Sequence, residues 1–103
     1  MAKRLHFHWA SETLAGFDWD EVNRETHFIK HGIDFPIVAL IDWTRIRKAQ
    51  DRRRAFQPPR NVAIARCPRL DRTLVVVYSK ENQIARIISV RLANEDEAAL
   101  LDA

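Results

Sequence analysis

A chain of 103 residues with 47% hydrophobic residues is sized for one folded domain, and neither repeats nor low-complexity stretches interrupt it. The single cysteine, Cys67, excludes an internal disulfide framework and fits a reducing compartment, and no apolar run approaches the length of a membrane span. The net charge is only +3, but ten of the seventeen Lys and Arg residues fall between positions 45 and 72, opposed there only by Asp51 and Asp71, which points to a polyanion or an acidic protein segment as partner.

Residues 1–16 carry no sustained period and read as an N-terminal extension to a single domain over 17–103. His6, His8 and Trp9 fit an edge strand, and Ser11 to Gly16 a turn or short helix. The opening lacks the apolar centre and small-residue cleavage site of a signal peptide, so a soluble cytoplasmic protein without membrane contact is expected. A first helix is predicted to begin at Phe17-Asp18-Trp19-Asp20, capped by Asp18 or Asp20 and acidic in its opening turn. Its buried stripe is expected at Trp19, Val22, Thr26 and Ile29. Lys30-His31-Gly32 ends it, with cations at the negative end of the dipole and a glycine free to take a left-handed conformation.

Asp34 and Pro36 open a second, shorter helix through Ile37, Val38, Leu40 and Ile41. From Trp43 the period changes: Trp43 to Arg47 alternates weakly as a first strand, and Asp51 to Pro59 is a basic loop. Asn61 to Arg66 is a second strand and Pro68 to Arg72 a turn. Thr73 to Ser79 is a central strand, Lys80 to Gln83 a hairpin connection, and Ala85 to Arg91 the last strand. Asn94 caps a final helix through Leu101. The order implies an α+β domain: two N-terminal helices, an antiparallel meander of three to four strands, and a C-terminal helix.

The last strand is where chemistry first shows. Arg86 shares a face with Ile88 and Val90, and Arg91 shares the other with Ser89 and Ile87. A guanidinium among apolar neighbours needs a carboxylate, a backbone acceptor or an anionic ligand, and its fork matches phosphate oxygens. His27 and His31 stand one helical turn apart, and His6 and His8 flank Phe7, but no third ligand accompanies either pair. Neither a metal nor a cofactor is expected.

Four segments, Phe17-Asp18-Trp19-Asp20, Lys30-His31-Gly32-Ile33-x-Phe35, Leu74-Val75-Val76-Val77-Tyr78 and Arg86-Ile87-Ile88-Ser89-Val90-Arg91, together resemble the BrnT toxin family in order and spacing. The resemblance implies a RelE-like fold and a metal-independent endoribonuclease that halts translation by cutting RNA. It also implies neutralisation by a cognate BrnA-like antitoxin, and a homodimer within the toxin–antitoxin complex is compatible with it. Arg60, Arg86 and Arg91 become the candidates for stabilising the reacting phosphate. Arg52, Arg53, Arg54, Arg66, Lys30 and His31 become the candidates for holding RNA. Glu97 matches an acid of the family's final helix that orients an arginine or forms a salt bridge.

The chain also departs from the family pattern. Pro58-Pro59-Arg60 stands where members carry Gly-Glu before the arginine, Leu92 where they carry lysine, and His27 where they carry asparagine. A second reading therefore keeps the fold and the antitoxin contacts but not catalysis, leaving an operon-repression module. A nucleic-acid-binding domain unrelated to toxins is a third.

Overall fold

The computed structural model describes residues 5–102. In chain order the elements are β1 (His8–Ala10), β2 (Gly16–Trp19), α1 (Glu21–His31), a 3-10 helix (Phe35–Leu40), β3 (Ile46–Asp51), β4 (Arg60–Cys67), β5 (Arg72–Glu81), β6 (Ile84–Leu92) and α2 (Glu95–Ala99). The six strands make one mixed sheet in the order β1–β3–β4–β5–β6–β2. Five pair antiparallel, and β2 joins the far edge parallel to β6.

The long strands follow from their residues. β4, β5 and β6 are rich in Val and Ile, which suit a pleated surface buried on one or both sides. The β5–β6 connection closes over Asn82 and Gln83, both with positive φ (51° and 64°), which matches the twist that tight hairpins favour. One irregularity matters later. Val77 pairs with Ser89 but Tyr78 with Ile87, so Ile88 is an extra residue and bulges out of the ladder.

The two faces of the sheet differ. The 3-10 helix brings Phe35 and Val38 onto one face, where they pack with Ile41, Trp43, Ile46, Leu74, Val76, Tyr78, Ile87 and Val90. On the other face Val62, Ile64 and Val75 are covered by Leu101, Leu100 and Ala93 from the C-terminal end and by Leu5 and Phe7. Arg47 Nε ties this cover down by donating to the Leu100 carbonyl at 2.8 Å. The cover stops short of Val77 and Ser89, so that part of the second face stays open.

Several expectations need correction. Phe17 to Trp19 is the strand β2, not the start of a helix. Phe17 and Trp19 point to the same side with period two, one against Trp43 (centroids 6.0 Å apart) and the other against Phe35 (6.3 Å). α1 starts only at Glu21, capped by Asp20, whose side chain accepts the Asn23 N–H. Of the stripe predicted to be buried, Trp19 packs on the core from β2, but the helical positions are on the outside: Val22 is 74% exposed and Ile29 83%. The helix instead turns Asn23 and His27 inward, because it docks on backbone groups. β2 covers the edge of β6 only as far as Ile87. Beyond that point Asn23 Nδ2 donates to the Ile88 carbonyl (3.1 Å), and the Val90 N–H donates to His27 Nε2 (3.3 Å).

The second helix is a single 3-10 segment capped by Asp34. The strand expected at Trp43–Arg47 lies at Ile46–Asp51, because Trp43 sits in a turn with its indole donating to the Val38 carbonyl and its ring edge-on to Tyr78. The sheet has six strands rather than three or four, since β1 and β2 add one at each edge. The α+β class, the Asn94 cap and the left-handed Gly32 (φ 73°) are as expected; Glu97 completes a capping box with Asn94, and α2 ends at Ala99 rather than running through Leu101.

Residues ahead of β2 also contribute a buried charge. The Glu12 N–H donates to the Trp43 carbonyl (2.8 Å), and its carboxylate accepts from Tyr78 OH, Lys80 Nζ (2.9 Å) and Lys48 Nζ (2.8 Å). Burial opposes ionisation, but hydrogen bonds from Lys48, Tyr78 and Lys80 outweigh it and lower the pKa from 4.5 to about 2. The same burial, with the Glu12 charge, pushes the Tyr78 phenol up. A depressed carboxyl pKa stabilises the fold above pH 4.5, and that contribution is lost as pH falls towards 2. Glu12→Gln is therefore expected to cost about 1–3 kcal/mol at neutral pH and to flatten the acid limb of the stability profile. Thermal melts of both proteins across that pH range check it; parallel acid limbs would contradict it.

Candidate nucleic-acid groove

The open part of the second face is a groove of about 520 Å³. Its floor is Val77, Ile88 and Ser89, and its wall is the end of β3 and the loop leading to β4, with Asp51, Arg53, Arg54, Phe56 and Arg60. The bulge at Ile88 shapes the floor, and the β3–β4 register, which pairs Asp51 with Arg60, sets the wall.

The arginines of the wall are not equivalent. Asp51 is buried and takes both Arg53 Nε and Nη2 at 2.9 Å, together with the Arg53 N–H at 3.1 Å. The Arg53 hydrogen bond, against the pull of burial, holds the Asp51 carboxyl below its ordinary range. That pair is self-neutralised. Arg52 spends its guanidinium on Gln50 Oε1. Arg60 lies over the Phe56 ring, 4.3 Å from its centroid. Among the described residues neither Arg54 nor Arg60 has an acid within ion-pair distance. The groove thus offers two cations without an ion-pair partner, one of them stacked on the Phe56 ring, and a largely apolar floor.

The other nominated residues lie elsewhere. Extending the β4–β5 register one step past Asn61–Tyr78 puts Arg60 level with Ser79, whose β6 neighbour is Arg86. Arg86 is thus about 10 Å from Arg60 across the sheet, but it is bonded to Asp18 beside a separate hollow. Arg91 makes a two-pronged pair with Glu97 (2.7 and 2.6 Å), which raises the arginine's pKa and lowers the acid's. Since Glu97 also closes the α2 capping box, Arg91 braces that helix. Arg66 pairs with Asp71 at the far turn, and Lys30 and His31 sit exposed at the end of α1. Of the nine, the groove brings together Arg53, Arg54 and Arg60, with Arg52 at its rim.

Phe56, Asp51 and Ser89 were not singled out from sequence. Phe56 is the lone aromatic in the basic loop and Asp51 the lone acid beside it, so both carried a readable signal; Ser89 carried none beyond being the one hydroxyl in its strand. No group of three His, Cys, Asp or Glu side chains comes together among the described residues, and none of their helices is long and apolar enough to cross a membrane.

The family described as ribonuclease toxin, BrnT, of type II toxin–antitoxin system matches residues 19–97. No curated protein sequence matches the chain. Among solved structures, the Brucella abortus ribonuclease toxin BrnT is similar with a TM-score of 0.52 at 22% identity, over 81% of this chain and 100% of that one. At that identity the likeness speaks for the fold, and it agrees with the family match that spans most of the sheet, α1 and the start of α2. This chain belongs to the BrnT family of ribonuclease toxins of type II toxin–antitoxin systems.

Proposed function

We propose that the chain is a cytoplasmic endoribonuclease toxin of RelE-like type that binds single-stranded RNA in the open groove, blocks translation by cutting it, and is neutralised by a BrnA-like antitoxin. The observation that carries this reading is the pairing of uncommitted Arg54 and Arg60 with Phe56 over the floor of Val77 and Ile88. Cations that track phosphates, beside an aromatic face for a base, are the two ingredients of single-strand binding. Cleavage without a metal needs a group to take the 2′-hydroxyl proton, a cation for the charge gathering on the phosphate, and a donor for the departing 5′-oxygen. Arg60 supplies the second.

The first is weakly provided. Asp51 is held by Arg53, and no histidine lines the groove. This favours slow cleavage and supports the second reading, a binding and repression module with little catalysis left.

Binding tests the shared part of both readings. Affinity for a uridine oligomer should fall steeply with salt, and Arg54→Ala and Arg60→Ala should each flatten the log–log slope by about 0.7. Slopes unchanged in both variants would place the RNA on another surface.

A further inference from the structure

Ser89 is the only hydroxyl of the groove floor, and its surroundings fix which way its hydrogen points. The Val90 backbone N–H donates to His27 Nε2 at 3.3 Å, so that nitrogen carries no proton and His27 is the Nδ1–H tautomer. Ser89 Oγ lies 3.2 Å from the same nitrogen. Towards that unprotonated nitrogen the hydroxyl donates, sharing the single Nε2 lone pair with the Val90 N–H. The Ser89 hydrogen is therefore drawn back towards α1, leaving the oxygen's lone pairs for the groove.

His27 is well placed to stay neutral. It is buried, with the Phe35 ring 5.0 Å from its own on one side and the His31 ring at 4.5 Å on the other. Burial first, then the positive charges of His31 and Lys30, hold its pKa below the ordinary histidine value.

We propose that Ser89 is a specificity residue of the groove, accepting a hydrogen bond from the ribose 2′-hydroxyl of bound RNA, with His27 as the positioning residue that keeps Oγ an acceptor. The inference rests on the RNA reading and deepens it. Arg54 and Arg60 provide for phosphates and Phe56 for a base face, so the floor between them meets the sugar. Val77 and Ile88 bring no polar side-chain group to that floor. A 2′-hydroxyl is the donor that RNA has and DNA lacks.

The test compares uridine and deoxyuridine oligomers of one length by fluorescence anisotropy, with oligomer integrity checked on a gel. Uracil has no exocyclic amine, so the two probes differ only at the sugar. The unaltered chain is expected to bind the uridine oligomer about two- to tenfold tighter, the range of one neutral hydrogen bond. Ser89→Ala should abolish that preference without weakening deoxyuridine binding, and Ser89→Thr should restore it. His27→Gln, which keeps an acceptor at similar reach, should retain the preference, and His27→Leu should lose it.

Equal affinity of the unaltered chain for both oligomers, or a preference that survives Ser89→Ala, overturns the inference while leaving the RNA reading intact. A Ser89-dependent gain seen only with amine-bearing cytidine oligomers, whatever the sugar, also overturns it. No binding of either uridine oligomer, or binding indifferent to Arg54→Ala and Arg60→Ala, overturns the RNA reading itself.

Discussion

Arg60→Ala is expected to lower the single-turnover rate of RNA cleavage by about 10²–10³, the usual cost of losing one group that stabilises charge developing in a transition state. Arg60 opens β4, where pairing with Asp51 fixes its backbone, and its guanidinium rests on Phe56 with no acid within ion-pair distance among the described residues. As the 2′-oxygen attacks, negative charge grows on the non-bridging phosphate oxygens, and a planar two-pronged donor meets it. Arg53→Ala provides the contrast. Its guanidinium is held by the buried Asp51, so its loss should lower stability more than rate. Purified proteins, with folding checked by circular dichroism and a heat-inactivated control, give the comparison. Equal rates for Arg60→Ala and the unaltered chain would remove Arg60 from the chemistry.

Pro59→Glu is expected to raise the same rate by about 10²–10⁴, the span that one positioned acid–base group contributes. The groove lacks such a group, since the Asp51 charge is taken and the free nitrogen of His27 faces Ser89 and Val90. Pro59 lines a hollow shared with Arg54, Phe56 and Asp51, so a carboxylate there reaches the space beside the wall cations. Leu92→Lys, at the other position where the resemblance implies a departure from the family pattern, should leave the rate unchanged. Leu92 pairs with Leu74 and so lies on the face that carries Phe35 and Val38, away from the groove. A rate that rises with Leu92→Lys but not with Pro59→Glu would reverse this assignment.

The sequence carried the local parts of this fold and missed the parts decided at a distance. Gly32, the Asn94 cap and the three long strands announce themselves through turn chemistry and β-branched residues. β2 does not, because Phe17-Asp18-Trp19 is short, its acids imitate a helix start, and its partner β6 is more than sixty residues away. The α1 stripe was misread for a related reason. Val22 and Ile29 recur at helical spacing, but the side that faces the sheet is set by Asn23 and His27 reaching the exposed edge of β6.

For the site, the basic run at 45–72 was plain as composition. Which of the chain's arginines remain free was not, because Arg53 turns back on Asp51, Asp18 meets Arg86 through the β2–β6 register, and Glu97 meets Arg91 through the packing of α2. The β-branched pattern located the arginine strand but not the bulge at Ile88 that opens the floor.

The central claim is that RNA lies on this open half of the sheet, and amide chemical-shift mapping with a uridine oligomer tests it most directly. The account predicts shifts concentrated at Arg53, Arg54, Phe56 and Arg60, and at Val77, Ile88 and Ser89, with the outer face of α1 at Val22 and Ile29 silent. Shifts confined to α1, or to Trp9 with Arg45 and Arg47 at the opposite end of β3, would contradict it.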